Sequence, residues 1–133
     1  MSTMKSTLIP LLLVAGCATQ APPKVVQAWE SPAAEFPAIC MQLQADGTLA
    51  FRGGFEFYNP GKWRQNADRL TITLGGDQPF PADIAQEQLG AKIGGLTAYN
   101  AQHRELVFTI KPSTAFVGIG NFYFYRSDAC GAK

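Results

Sequence analysis

The chain has little of what catalysis and metal binding usually need. It carries one histidine and three cysteines in 133 residues. A histidine base needs a nucleophile and an orienting group beside it. His103 lies instead in the polar run Asn100-Ala101-Gln102-His103-Arg104-Glu105, where a solvent-facing turn residue is expected. Pairing it with Cys40 as a thiol nucleophile would compete with a disulfide. Two further cysteines and a single histidine are too few for a closed zinc site. Positive charge is not in excess either: 11 Lys and Arg face 10 Asp and Glu, for a net charge of +1. A surface able to hold phosphate backbones is therefore not expected, and neither is a nucleic-acid partner. Asp83 and Glu87 stand four apart and would share a helix face, but no cluster of oxygen ligands of the EF-hand kind accompanies them; a solvated face is expected. Gly118-Ile119-Gly120 lacks the third glycine and the strand–turn–helix setting of a dinucleotide site, so it reads as a bend within a strand. The apolar run near the start is broken by Pro10 and falls short of the roughly 20 residues that span a bilayer.

What is present begins at that run. Lys5 precedes Leu8-Ile9-Pro10-Leu11-Leu12-Leu13, and Val14-Ala15-Gly16-Cys17 follows. A basic start, a short apolar stretch and small residues before a cleavage point are the parts of a secretory signal. Val-Ala-Gly-Cys resembles the lipobox of bacterial lipoproteins. The resemblance implies cleavage before Cys17 and acyl chains on that residue. Several chains anchor stably where one binds only marginally. Ala18, rather than an aspartate, follows the cysteine, which in Gram-negative lipoproteins implies passage to the outer membrane. Residues 1–16 are thus expected to be signal peptide and 17–24 a short lipidated tether stiffened by Pro22-Pro23. Residues 25–133 are expected to form one domain, facing the periplasm.

With Cys17 lipidated, Cys40 and Cys130 remain, in an oxidising compartment. A disulfide between them is expected. Closing so long a loop stabilises by about 4–5 kcal/mol in the chain-entropy picture. Two structural thiols or a metal pair are the competing readings.

The rest of the chain alternates with period two. Ile39, Met41 and Leu43 oppose Cys40, Gln42 and Gln44; Asp46-Gly47 marks a hairpin turn. Leu49 and Phe51 follow, and after Gly53-Gly54 the alternation resumes at Phe55 and Phe57. Asn59-Pro60-Gly61 is another turn. Trp63 opens a segment that leads into Leu70, Ile72 and Leu74. Between Pro79 and Lys92, alanines and other helix formers with an acidic first turn predict one helix of two to three turns, stopped by Gly94-Gly95. Strands return at 96–99 and around Leu106, Phe108 and Ile110. A last strand is expected over 115–126, bent at Gly118 and Gly120. The fold class is all-β: an antiparallel meander of about seven or eight strands forming a small barrel or sandwich, with one short helix over an end or a gap. Cys40 shares a face with Gln42 and Gln44, so the bridge would pin the C-terminal tail outside an early strand and help cover a sheet edge.

Aromatics offer the best lead to function. Along Phe122-Tyr123-Phe124-Tyr125, alternation puts phenylalanines on one face and tyrosines on the other. A tyrosine joins an apolar ring to a polar tip, which suits an interface. Tyr58, Tyr123 and Tyr125 are therefore the candidate binding surface, weighed against ordinary packing on the sheet.

Asp46-Gly47-Thr48, Gly61-Lys62-Trp63 and the strand Leu70-Thr71-Ile72-Thr73-Leu74 resemble a pattern of small envelope lipoproteins with lipocalin-like or META-type β-domains. The resemblance implies a fold and carries no site residues. A true lipocalin has its Gly-x-Trp on the first barrel strand, whereas here it lies several strands in. The expected function is a lipid-anchored, non-enzymatic binding or structural module of the bacterial cell envelope that engages a protein partner. The alternatives are a barrel that binds a small molecule or lipid, and an inhibitor or immunity protein against a cell-wall hydrolase. No cofactor is expected beyond the acyl chains on Cys17.

Overall fold

A computed structural model describes residues 23–32 and 38–131. Cys17, the signal and most of the tether lie outside the described residues. The fold is mostly β. Nine antiparallel strands form one nearly closed, barrel-like sheet: β1 (Val25–Ser31), β2 (Ile39–Gln44), β3 (Thr48–Arg52), β4 (Gly61–Asn66), β5 (Arg69–Thr73), β6 (Leu96–Asn100), β7 (Glu105–Thr109), β8 (Phe116–Ile119) and β9 (Phe122–Arg126). Their order is β6-β7-β5-β4-β3-β2-β1-β9-β8. Helix α1 (Ala82–Ala91) follows β5, and a one-turn helix α2 (Asp128–Gly131) ends the described chain.

The inward rows predicted from alternation form the core. Met41, Leu43, Leu49, Phe51, Leu70, Ile72, Phe108, Val117 and Phe124 are fully buried, joined by Trp29 from β1. Alternation suffices because each strand has one face toward a shared interior, and a register slip would turn that whole row to solvent. The sheet edges β6 and β8 meet at α1 rather than at each other. The Gly118 amide donates to the Gly94 carbonyl (2.9 Å) just before β6, and α1 occupies the remaining gap. The predicted helix is thus part of the barrel wall.

The disulfide is present, joining Cys40 to Cys130. Cys40 points away from the main core, as its face predicts, yet it is buried. Helix α2 lies across it and forms a small outer cluster with Ala28 and Val25. The Gln42 side chain donates to the Cys130 carbonyl (3.4 Å) on the same outer face. The bridge does not cover a sheet edge, however: β1 and β2 are interior strands, and the tail crosses their outer face.

Three further expectations are corrected. Phe55 and Phe57 do not resume a strand. The chain turns at Gly53 and at Phe55, both with positive φ, and Glu56–Tyr58 forms one turn of 3-10 helix. Folding inward there buries Tyr58 and sets Phe55 against Phe51, ring to ring at 5.6 Å; tertiary burial outweighs the local period. The segment 115–126 is a hairpin, not a bent strand, with Ile119 paired to Phe122 across the two-residue turn Gly120-Asn121. The stretch opened by Trp63 is likewise a hairpin, closed by Ala67-Asp68, with Asn66 paired to Arg69. These two hairpins and the unpredicted β1 account for nine strands instead of seven or eight.

Candidate functional site

The strand directions define two ends of the barrel. β1 begins at Val25 beside the β2–β3 turn, where Val25 pairs with Gln44, and ends at Ser31 opposite Ile39. The far end therefore carries the exit of β3, the 3-10 turn, the β8–β9 turn and the start of α1.

At this far end, Asn59 makes the opening possible. Pairing between β3 and β4 lasts only from Thr48–Lys62 to Leu49–Gly61. Beyond it the Asn59 side chain takes the place of a neighbouring strand: its Oδ1 accepts from the Phe51 amide (2.7 Å) and its Nδ2 donates to the Phe51 carbonyl (2.8 Å). The wall parts above that point, and the 3-10 turn folds into the gap. Arg104, just before β7, holds the neighbouring loop. It donates to the carbonyls of Leu74 (2.8 Å), Gly75 (2.9 Å) and Gln78 (2.8 Å). Gly75 and Gly76 pass so close to the backbone of Phe57, Tyr58 and Pro60 that a side chain at either would collide with it.

Between these parts lies a pocket of about 170 Å³. Phe55 and Tyr58 of the 3-10 turn, Ile84, Ala85 and Gln88 of α1, and Phe122 after the hairpin turn form most of its lining. No charged residue lines it. Exposed apolar side chains gather here: Phe57 (51% exposed), Ile84 (52%) and Phe122 (41%), with Ile93 and Tyr123 beside a second, smaller pocket of about 100 Å³ that shares Ile84 and Gln88. Phe122 meets Phe55 edge to face at 4.9 Å, and Phe57 meets Tyr58 at 4.7 Å. Three polar groups reach the pocket. Gln88 is fully engaged: its Nε2 donates to the carbonyls of Ile93 and Gly118, and its Oε1 accepts from the Gly120 amide (3.0 Å). Asn121 is exposed in the turn. Burial pushes the Tyr58 phenol above its ordinary pKa, opposed by the nearby Arg104 charge, and among the described residues its hydroxyl has no hydrogen-bond partner.

A wider trough of about 570 Å³ runs between Leu89, Lys92, Leu96, Thr97, Thr109 and Lys111. It is shallower, and none of the exposed large apolar side chains lines it.

Of the three tyrosines expected to form one surface, Tyr123 and Tyr125 share the outer face of β9, both against Phe116 (4.9 and 5.5 Å), while Tyr58 is apart from them. Tyr58 is 7% exposed and lies in the pocket lining. Tyr123 also lines the smaller pocket. Phenylalanines and tyrosines of β9 do take opposite faces, but inward-facing Phe122 sits at the pocket mouth and stays half exposed. Phe57, Ile84, Gln88 and Phe122 escaped sequence reasoning as a site because they come from three distant segments that only the closed sheet brings together. Phe57 and Phe122 carried one local signal, a large apolar residue next to a turn. His103 is exposed in the β6–β7 turn, and its amide donates to Asn100 Oδ1 (3.0 Å). Asp83 and Glu87 are exposed on α1. Among the described residues no group of three or more His, Cys, Asp or Glu could hold a metal, and no helix is long and apolar enough to cross a membrane.

In comparison with known proteins, the chain matches no family model, no curated protein and no solved structure.

Proposed function

We propose that this protein is a lipid-anchored, non-enzymatic binding module of the bacterial cell envelope, held by acyl chains on Cys17 at the periplasmic face of the outer membrane. We further propose that it grips a protein partner at the far end of its barrel. One observation carries the binding reading: an apolar pocket ringed by exposed Phe57, Ile84 and Phe122. Exposed large apolar groups gathered at one place mark interaction sites, whereas single ones scattered over a surface do not. An anchor side chain entering a pocket, surrounded by contacts that exclude water, is how protein interfaces concentrate their energy.

A barrel cup for a lipid or small molecule fits less well. Ligand cavities for drug-sized molecules run to roughly 300–1,000 Å³, while this pocket offers about 170 Å³. The barrel interior below it is filled by Trp29, Phe51, Phe108, Phe124 and Met41. An inhibitor or immunity role against a cell-wall hydrolase is one form of the protein-binding reading.

The test is affinity isolation of the tagged, full-length lipoprotein in detergent, beside the variant Phe57→Asp/Ile84→Asp. Both positions are exposed, so the variant keeps its core. A stoichiometric protein held by the parent and lost by the variant is expected. A bound lipid or small molecule without protein would favour the cup, and a partner held equally by the variant would move the site elsewhere. Cys17→Ser should release the protein from membranes; unchanged membrane partitioning would refute the anchor.

A further inference from the structure

We infer that the partner segment received at the far end is cationic: a stretch flanked by Lys or Arg that presents one apolar side chain to the pocket, approaching from the side opposite the tether. This rests on the protein-binding reading above and adds what the partner must carry.

The charge pattern around the pocket supplies the first argument. Glu56 adjoins Phe57, and Asp83 adjoins Ile84. Glu87, one turn further along α1, lines the smaller pocket. Asp77 follows Gly76, which is packed on the Phe57 carbonyl. All four carboxylates are exposed. No Lys or Arg lines either pocket. The cation that acts on Tyr58 is Arg104, whose guanidinium is already bound to three backbone carbonyls; Arg52, at the exit of β3, donates to Gln42 Oε1 (3.3 Å). The ion pairs among the described residues, Arg64–Glu105 and Arg126–Asp128, involve none of the four. In a chain with a net charge of only +1, this leaves an apolar centre with Glu87 beside it and exposed carboxylates on the segments that carry Phe57 and Ile84. Such a charge pattern steers a cationic partner and repels an anionic one.

Pocket size sets the anchor. Water occupies about 30 Å³ per molecule in the liquid, so about 170 Å³ equals only five or six waters. That is room for a single side chain and too little for an acyl chain with its headgroup.

Chain direction supplies the third argument. The tether joins β1 at Val25, and the pocket lies beyond the other end of that strand. If acyl chains on Cys17 hold the protein to the membrane, the chain enters the domain at the end away from the pocket, an arrangement that favours a pocket open to the aqueous space. An anionic bilayer would also repel these carboxylates. The geometry thus favours a protein segment over a lipid surface.

The experiment places a photo-crosslinking residue at position 84 of the full-length lipoprotein, in the cells that make it. Position 26, exposed on the outer wall of β1, serves as the control. The crosslinked peptide is then sequenced. The expected product at position 84 is a protein segment with at least two Lys or Arg around one apolar residue. Its yield should fall several-fold in Asp77→Asn/Asp83→Asn/Glu87→Gln, a variant that keeps Glu56 because its carboxylate accepts from the Gly53 amide. Circular dichroism of that variant should match the parent. A crosslinked segment that is neutral or acidic, or a yield unmoved by the variant, overturns the charge inference and leaves the binding site standing. Crosslinking to lipid at position 84 overturns both the orientation and the partner class. Crosslinking to protein at position 26 but not at 84, or at neither, overturns the binding site itself.

Discussion

Two residues in the pocket have effects that can be measured one at a time. Gln88 is buried, and its amide ties α1 to β8 and to the connector before β6 by three hydrogen bonds. In Gln88→Leu the size is kept but the Gly118 and Ile93 carbonyls and the Gly120 amide lose that partner. Leaving the buried Gly118 carbonyl unpaired costs about 1–3 kcal/mol, and the part-buried Ile93 and Gly120 groups, which water can reach, add less. We expect a loss of about 2–4 kcal/mol in urea unfolding, with an unchanged m-value. A loss below about 0.5 kcal/mol, the usual scale of a plain surface change, would show that the amide does not close the barrel. Tyr58 predicts a pH effect. Burial favours its neutral phenol and raises its pKa above 10.0, the ordinary value, against the lowering effect of Arg104. The unfolded chain therefore gives up this proton first as pH rises. The stabilisation is fully present below pH 10 and is lost as pH climbs through the folded pKa. Tyr58→Phe should remove this part of the alkaline loss, so that denaturant midpoints of parent and variant diverge above pH 10. Parallel midpoints across that range would mean that the phenol ionises in the fold as freely as in water.

At the scale of elements, legibility followed the turns. β2, β3, β5 and β7 could be read because a buried row alternates with a polar one, and the sharp Asp46-Gly47 turn sets the register of the first hairpin. The β8–β9 turn was also written in the chain. Gly120-Asn121 between two apolar-alternating runs is a two-residue hairpin signal, yet the spacing of Gly118 and Gly120 invited a bend instead. The β4–β5 turn was not written in this way. Ala67 takes a positive φ there, which an alanine does not advertise. The 3-10 turn was hidden because Phe55 and Phe57 are spaced like strand residues, and only the missing pairing of β3 with β4 frees the chain to fold inward. Of the site, the sequence pointed to Tyr58 and Tyr123 but assigned them the same surface. Asn59 decides this region, since its side chain completes the β3 ladder at Phe51. Asn59→Ala removes both bonds and leaves the part-buried Phe51 amide and carbonyl unpaired. A loss of about 2–3 kcal/mol is expected, together with faster amide exchange at Phe51 than at Leu49, which pairs with β4. Uniform exchange along β3 in the variant would show that the substitute strand is dispensable.

For the whole molecule, the question is which way the barrel points. β1 runs seven residues from Val25 to Ser31, about 3.3 Å each, so roughly 20 Å of strand separates the tether from the far end. The disulfide pins α2 across β1 and β2, so that Gly131 lies against Val25 and Ala28. If Cys17 carries the acyl chains, the anchored chain enters the domain beside the β2–β3 turn, which favours an orientation with Phe57, Ile84 and Phe122 toward the aqueous space. The full-length lipoprotein in vesicles with lipid-attached quenchers tests this directly. A fluorescent non-natural residue at position 46, in the β2–β3 turn, should be quenched strongly. The same residue at position 84 should be quenched weakly, and both should lose quenching in Cys17→Ser. Stronger quenching at position 84 than at 46 would place the apolar end on the membrane, and the pocket would then be a lipid contact rather than a site for a protein across the periplasm.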